Sequence, residues 1–342
     1  MYRDTTKAQQ LVPVPTNNMA ISFNIVNTAE LTGEQFSSIV KNFNAVFEKK
    51  LQAADLQRLY LHTSLGYSFH SLMEDGDNVA GYFSSIPFTY SCFGEEKIFC
   101  YVGGLFIMPE YRKDPLALFK LYAAAKKHLA GQGVSLLMAV PNNNAYPYFK
   151  HALKWKEVDS LSYHALPVRY GHVSKSSKLL NWLSVPAVYT LLAVQNILSS
   201  LANSREKQAN IFLLRNEPLA EKQRYSDEHI KIRAAGYSAF YKMENEDGIL
   251  TSYLIDFYNK EGLRDSRSLY KAVNHIVKKE KPDLVLFIGP LRVKQMILFK
   301  VPQKKEPRAL HFCAEILDKE HIGEEAYKAG AWNFGLYNFD VR

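Results

Sequence analysis

Residues 101–121 constrain the fold of this chain more than any other stretch, because they combine a buried strand, a charged turn and a helix start. Residues 101–108 are nearly all apolar, which is typical of a strand covered on both faces. Pro109 ends this strand because proline cannot donate a hydrogen bond to a neighbouring strand. Asp114 fits the N-cap of the following helix, and Pro115 fits its first position. The sequence therefore predicts a strand, a tight turn and a helix that faces the turn.

The turn has the chemistry of an anion site. The first helical N–H groups, those of Leu116, Ala117 and Leu118, have no partner within a helix. They lie at the positive end of the helix dipole, beside the two cations Arg112 and Lys113. Backbone donors and positive charge at one point suit a phosphate or a diphosphate.

A helix and a second strand follow the turn. Apolar residues recur at helical spacing over 118–129, and Gly131 ends the pattern. Residues 134–140 form another apolar run, which Pro141 ends. Strand, helix and strand in this order predict a βαβ unit whose two strands are parallel.

This unit resembles the acyl-CoA-binding core of the GNAT acyltransferases (GCN-related N-acetyltransferases). The family pattern after the fourth strand is Arg or Gln, two residues, Gly, one residue, and Gly or Ala. Residues 112–117 match it, except that Pro115 stands where the family usually has glycine. A second family motif, after the fifth strand, matches Asn144-Ala145, an aromatic one turn later and Leu-Lys-Trp at 153–155, with Lys154 in place of the usual glycine.

The resemblance covers residues 20–168 and implies an α/β fold with an α+β mixed sheet. The first strand is expected at 20–26, a helix at 32–51, and two strands within 69–93 that turn at 75–78. The glycine pair Gly103-Gly104 is expected to supply a bulge in the fourth strand.

The C-terminal half repeats this organisation. It shows a hairpin at 237–256, a helix at Ser266–Lys279, a buried strand at 282–289 and a last strand at 331–342. We therefore predict tandem acyl-CoA N-acyltransferase (GNAT-like) domains. The predicted parts are a disordered leader (1–18), a GNAT N-acyltransferase domain (19–168), a helical linker (169–212) and a second GNAT-like domain without the pyrophosphate motif (213–342).

The resemblance implies acetyl-CoA or another acyl-CoA as co-substrate. Its cofactor-binding positions fall on Leu105, Phe106, Ile107, Arg112, Lys113, Asp114, Leu116, Ala117 and Asn144. In many family members a backbone N–H of the fourth strand binds the oxyanion, which here would come from Phe106 or Ile107. No Cys/His cluster has the spacing of a metal site, so no metal is predicted.

Three side chains are candidates for catalysis. The aromatic position after Asn144 often carries a tyrosine acid, which points to Tyr148, although Phe149 fits the spacing nearly as well. The strand position that carries a carboxylate in histone-type relatives falls on Tyr101. Glu74 is a candidate general base that also reads as a turn residue, and the sequence leaves both readings open.

The resemblance implies an N-acetyltransferase of GNAT type that moves an acetyl or other acyl group from CoA to a primary amine. A small-molecule amine such as an amino sugar fits the cleft expected between two halves. A first alternative is a Fem-type aminoacyl transferase that uses aminoacyl-tRNA; such enzymes usually lack the phosphate-turn pattern. A second alternative is a non-catalytic CoA-binding or scaffold protein.

The net charge of +8 favours anionic partners in general. Basic residues are spread along the chain without interleaved aromatics, which argues against nucleic-acid binding. Three scattered cysteines fit a reducing compartment, and the polar first residues lack the apolar core of a signal peptide. A cytoplasmic location is therefore predicted.

Residues 179–202 contain no charge. Pro186 is expected to break this segment into two shorter helices, packed between the domains or against a second copy in a homodimer. Peripheral contact with a membrane surface is the alternative.

Overall fold

The computed structural model describes residues 21–174 and 179–339. Its strands are β1 (Ser22–Asn27), β2 (Phe69–Asp75), β3 (Asn78–Cys92), β4 (Glu95–Ile107), β5 (Val134–Ala139), β6 (Lys156–Ser160), β7 (Tyr163–Pro167), β8 (Ile211–Leu213), β9 (His229–Ala234), β10 (Tyr237–Glu246), β11 (Ile249–Asn259), β12 (Leu284–Ile288), β13 (Phe299–Lys300), β14 (His311–Ile316) and β15 (Trp332–Asn333). Its helices are α1 (Gly33–Phe47), α2 (Ala53–Leu61), α3 (Ala117–Gly131), α4 (Tyr170–Val173), α5 (Leu179–Leu201), α6 (Glu217–Arg224), α7 (Ser266–Lys279) and α8 (Leu336–Phe339). The predicted leader, 1–18, lies outside the described residues.

The strands form two mixed sheets. The first has nine strands, with the order β1-β2-β3-β4-β5-β14-β6, and β8 and β15 extend it beside β3. The second has six strands in the order β13-β7-β12-β11-β10-β9. β4 and β5 are parallel neighbours joined by α3, so the predicted βαβ unit is confirmed.

Local sequence signals place most of the elements. Thr32 and Gln35 form a capping box at the start of α1, and the first predicted helix ends at Phe47 because Glu48 adopts a left-handed conformation (φ 51). The hairpin of β2 and β3 turns where the sequence predicted it. α7 spans the same residues, Ser266–Lys279, as the predicted helix.

Two strands are exchanged between the predicted halves. β14, from the C-terminal part of the chain, lies in the first sheet between β5 and β6, where Cys313 pairs with both Ala139 and Glu157. β7, from the N-terminal part, lies in the second sheet between β12 and β13, where Ala165 pairs with Leu286 and Phe299. The two sheets therefore do not separate at the predicted boundary after residue 168.

Two further expectations were wrong. Residues 179–201 form the single helix α5, with Pro186 inside it, rather than two shorter helices. Of the last strand predicted at 331–342, only Trp332–Asn333 is strand, and the helix α8 follows it. Residues 340–342 lie outside the described residues.

The largest apolar core is shared by both halves. It lies on the α1 and α2 side of the first sheet, where Phe99 of β4 contacts Trp332 and Trp332 contacts Phe312 of β14. A second core lies under α3, and a third lies between the second sheet, α5 and α7. Because the shared core contains residues from both ends of the chain, the two sheets are packed as neighbours around it.

Candidate active site

The central strands β4 and β5 separate halfway along β4. They pair in parallel as far as Tyr101 and Met138, after which β5 ends at Ala139 and β4 continues to Ile107. We call the gap beyond Tyr101 and Met138 the fork. Within the part of the chain that the structure describes, the edge of β4 that faces the fork has no strand partner. The backbone N–H and C=O groups that point into the fork are therefore available to an inserted ligand, apart from the carbonyl of Ile107, which accepts the Arg112 Nε.

A β-bulge lies at the mouth of the fork, as the glycine pair predicted. Ser84 and Ser85 of β3 pair with Gly104 and Val102, which leaves Gly103 as the extra residue of β4. A Cβ at Gly103 would come within 2.7 Å of the end of the Ile86 side chain of β3, so any larger residue here would require that side chain to move. The Ser84 hydroxyl of the neighbouring strand β3 donates to the carbonyl of Gly104 at 3.4 Å, which stabilises the bulge.

A cavity of about 420 Å³ opens beside the fork. Tyr101 and Gly103 line it from β4, and Asn142 lines it from the segment after β5. Other walls come from α1, α2, α6 and the segment before β14, so residues distant in the sequence meet here. The cavity combines an exposed strand edge with a volume that accommodates a small molecule.

The cavity is positively charged. Its charged lining residues are three arginines, Arg58, Arg224 and Arg308, and one acid, Asp55. Asp55 accepts the N–H of Gln52 at 3.1 Å and lies 3.9 Å from Arg58. The sequence did not indicate these residues because they lie on three segments without a shared motif.

Arg224 of α6, which lines the cavity, is hydrogen-bonded to the helix α8. Its guanidinium donates to the carbonyls of Tyr337 and Asn338 at 2.6 and 2.8 Å, and it lies 4.7 Å from the ring centroid of Phe88. Both acceptors are neutral, so these bonds orient the guanidinium without cancelling its charge.

The phosphate turn differs from the prediction in one important respect. α3 begins at Ala117, two residues later than expected, and Asp114 is not its N-cap. The Asp114 carboxylate instead accepts the N–H of Leu116 at 2.8 Å, and its backbone carbonyl accepts the N–H of Ala117 at 3.2 Å. Two of the three donors predicted for a diphosphate are thus bonded to Asp114.

Two of the cations at the turn, Arg112 and Lys120, already contact groups of the chain. The Arg112 Nε donates to the carbonyl of Ile107 at 2.8 Å, so this side chain reaches the end of β4. Lys113 is exposed, and Lys120 lies 3.5 Å from Asp114. A diphosphate at this turn would therefore meet three cations and one competing carboxylate.

The structure distinguishes the two aromatic candidates that follow the fifth strand. Phe149 is buried and packs edge-on against Trp155, whereas Tyr148 is 58% exposed. Only Tyr148 is thus accessible to a substrate. Asn144 is exposed, and it is the neighbouring Asn142 whose side chain accepts the N–H of Ala145 at 2.8 Å.

Tyr101 and Glu74 lie in different places. Tyr101 is at the fork and lines the cavity. Glu74 pairs with Val79, five residues along β3 from the residue that faces the bulge, or roughly 17 Å. Its carboxylate accepts hydrogen bonds from Asn24 and, at 2.8 Å, from Gln35. These contacts favour a structural role for Glu74.

The sequence missed a polar cluster beside Tyr148. The ring of Tyr146 stacks on His311 at 3.7 Å, and its hydroxyl donates to Glu157. Glu157 also accepts from Lys150 at 3.0 Å and bonds His311 at 2.7 Å. Partial burial disfavours the charged form of Glu157 and by itself would raise the pKa of this carboxyl. The hydrogen bonds from Tyr146, His311 and Lys150 have a larger effect and lower the pKa of Glu157 to about 2. No signal in the sequence pairs residues so far apart.

The second sheet repeats the fork. β11 and β12 pair in parallel up to Tyr253 and Leu286, and the register shift against β10 makes Ile255 a bulge residue. Tyr253 and Ile255 thus correspond in position to Tyr101 and Gly103. The repeat of hairpin, bulge and fork supports the predicted likeness of the two halves.

Charged side chains of the chain itself occupy the second fork. Asp256, which follows the bulge, is completely buried and forms ion pairs with Arg264 at 2.9 Å and with Arg215 at 3.0 Å. At the start of α7, the Asp265 side chain accepts the N–H of Ser268 at 2.6 Å. Since a carboxylate already caps this helix, the second half offers no counterpart of the phosphate turn.

Comparison with solved structures identifies the fold. The chain matches a GCN5-related N-acetyltransferase from Kribbella flavida with a TM-score of 0.55 and 14% identity, over 87% of this chain and 72% of that one. It matches another GCN5-related N-acetyltransferase, from Anabaena variabilis, with a TM-score of 0.54 and 11% identity, over 86% and 73%. It also matches a probable N-acyltransferase from Enterococcus faecalis with a TM-score of 0.55 and 10% identity, over 87% of this chain and 73% of that one.

Neither a protein-family model nor a curated sequence matches the chain. The structural matches nevertheless cover most of its length, and they show that it has the GNAT acyltransferase fold. The predicted resemblance and the α/β fold class are therefore confirmed.

Proposed function

We propose that the protein is an acyl-CoA-dependent N-acyltransferase that moves an acetyl or other acyl group from coenzyme A to a primary amine. The observation that carries this proposal is the fork with its bulge at Gly103, which opens onto a cavity of about 420 Å³. A thioester in the fork would lie along an unpaired strand edge, and an amine in the cavity would approach it from the other side.

The fork supplies the binding site for the acyl-CoA in this proposal. Backbone groups of Leu105 and Ile107 lie on the free edge of β4 and would bond the pantetheine amides, whereas those of Phe106, in register with Tyr82, point toward β3. An N–H of the same edge, near the bulge, would stabilise the oxyanion of the tetrahedral intermediate. The diphosphate would lie at the turn of Arg112 and Lys113, after the side chain of Asp114 has turned away.

The amine nitrogen attacks the thioester carbon, and the carbon–sulfur bond then breaks. Asp55 is the acid that lines the cavity, so we propose it as the group that removes the proton from the attacking amine, directly or through water. Tyr148 would donate its proton to the departing thiolate. Tyr101, at the mouth of the fork, would position the amine.

The charge of the cavity favours an amine that also carries a negative group. Three guanidinium groups against one carboxylate attract a phosphate or a carboxylate, and guanidinium binds both with paired hydrogen bonds. An amino sugar bearing a phosphate is one molecule with both features.

Release of free CoA thiol from acetyl-CoA tests this function with two amines of the same ring, glucosamine and glucosamine 6-phosphate. We expect a higher kcat/KM for the phosphorylated amine. Arg58→Gln should reduce this preference about tenfold or more, because it removes one charged contact. Lys127→Gln, which removes an equal charge from the exposed side of α3, should not change it.

The bond between Asp114 and Leu116 supports one competing reading, that of a non-catalytic binding or scaffold protein, because it occupies donors needed for CoA. If acetyl-CoA binds but no amine in a broad panel releases CoA, the protein is a CoA-binding protein. If acetyl-CoA does not bind, the proposal fails at its first step.

A further inference from the structure

The helix α5 is oriented with polar side chains toward the protein. The amide oxygen of Asn181 accepts the N–H of Gly171 at 2.7 Å, and the Ser184 hydroxyl donates to the carbonyl of Val168 at 2.9 Å. Further along, the Gln195 side chain is buried and accepts the N–H of Met296 at 3.0 Å. Three of the polar residues that interrupt this uncharged segment therefore attach it to the rest of the chain.

The opposite side of α5 is exposed and largely apolar, with Thr190 and Ser200 as its polar residues. Trp182, Leu183, Ile197 and Leu201 are exposed by 77, 60, 59 and 81%. Helical spacing places them on one side, away from the buried Gln195. We call these four residues the outer face. A surface helix of a soluble protein normally packs its apolar side on the protein and exposes its polar side. The outer face therefore needs an apolar partner.

The charged residues that flank α5 in the sequence, from residue 160 to residue 205, are all basic. Residues 160–205 contain no aspartate or glutamate. Arg169 and Arg205 lie near its two ends, where they pair with Asp283 at 3.4 Å and with Glu261 at 3.3 Å. Lys175 and Lys178, outside the described residues, precede the helix in the sequence. An apolar face with basic ends is complementary to a membrane surface that carries acidic lipids.

We propose that the outer face of α5 binds the surface of an anionic membrane. α5 is long and apolar enough to cross a bilayer by length and composition alone. However, one side of it packs on the protein, where Val188 and Leu192 are buried. The helix therefore lies along the membrane surface, with the outer face among the lipid chains and the basic residues at the headgroups.

The three tryptophans allow a direct test. Trp155 and Trp332 are each 2% exposed, so Trp182 is the one tryptophan that faces solvent. Adding vesicles of phosphatidylcholine with one quarter phosphatidylglycerol should shift its fluorescence to shorter wavelength, and the protein should co-sediment with them. Pure phosphatidylcholine should bind at least tenfold more weakly, and salt at about 0.5 M should weaken binding to the acidic vesicles.

Matched variants separate the outer face from general effects. Leu183→Glu with Ile197→Glu should reduce co-sedimentation at least tenfold, whereas Leu61→Glu, at an exposed leucine of α2, should not. Trp182→Phe should remove the spectral shift and keep the co-sedimentation. CD spectra and melting temperatures of the variants check that each is folded.

Three results would overturn the proposal. They are no binding to acidic vesicles, equal binding by the Leu183→Glu, Ile197→Glu protein, and a concentration-dependent dimer in the absence of lipid that this double substitution dissociates. The last result would show that the outer face binds a second copy of the chain.

Discussion

Asp114→Asn should strengthen the binding of acetyl-CoA, although the substitution removes a charged residue from the predicted binding turn. The asparagine oxygen can still accept the N–H of Leu116, so the local structure is kept. The negative charge, which opposes a diphosphate at the same place, is lost. Lys120, now 3.5 Å from the carboxylate, becomes free to contact the ligand.

The size of the effect follows from the charges. Asp114 is partly exposed, so a dielectric constant close to that of water applies. At about 5 Å, each like-charge pair then costs about 0.8 kcal/mol, and the two charges of a diphosphate sum to roughly 1.5 kcal/mol. This corresponds to about tenfold in Kd. The loss of the carboxylate near the start of α3 should cost the fold only about 0.5 kcal/mol.

Isothermal titration with acetyl-CoA measures the change at two salt concentrations. The tenfold gain should shrink at high salt, since the repulsion is between solvent-exposed charges. Asp227→Asn, which removes the same charge from an exposed turn before β9, is the matched control and should leave Kd unchanged. Unchanged or weaker binding by Asp114→Asn would falsify the placement of the diphosphate at this turn.

Three other perturbations test separate parts of the structure. Tyr148→Phe should lower kcat about 10²-fold with little change in the Kd of acetyl-CoA; if Tyr146→Phe has this effect instead, the acid is the tyrosine bonded to Glu157. Arg264→Ala should lower the free energy of unfolding by about 3–5 kcal/mol in urea titrations, because Asp256 loses a buried partner. Burial lowers the pKa of His70 to about 3, so the unfolded chain binds a proton below pH 6.5 that the folded chain does not. Stability should therefore fall by about 2 kcal/mol between pH 7 and pH 5, and His70→Gln should show a shallower fall.

The parts of the fold that were predictable have local signals. The helix Ser266–Lys279 has a capping aspartate and a regular apolar stripe, and the bulge at Gly103 follows from a glycine pair in an apolar strand. Lys154 was noted where glycine is usual, and the structure explains the preference: its backbone has φ 59, in the left-handed region. Such features depend on a few neighbouring residues.

The remaining features depend on contacts that are distant in sequence. The exchange of β7 and β14 is set by which edges meet in three dimensions, and both strands look equally suited to either sheet. Asp114 caps Leu116 with its own side chain, a short contact that competes with the N-cap role that its sequence position indicates. The inward polar side of α5 keeps Pro186 within a continuous helix, because packing on the protein outweighs the lost hydrogen bond.

The exchanged strands couple the order of synthesis to the order of folding. Cys313 of β14 pairs with Ala139 of β5. During synthesis this edge of β5 therefore stays unpaired until residues 174 positions further along the chain (313 minus 139) have been added. Contacts of such long range slow folding and leave an open strand edge in the nascent chain. The first sheet is completed only after β14 has been synthesised, and a chain shortened before β14 would leave that edge open to aggregation. Unfolding should accordingly be a single cooperative transition, and neither half is expected to survive as a separate gene product.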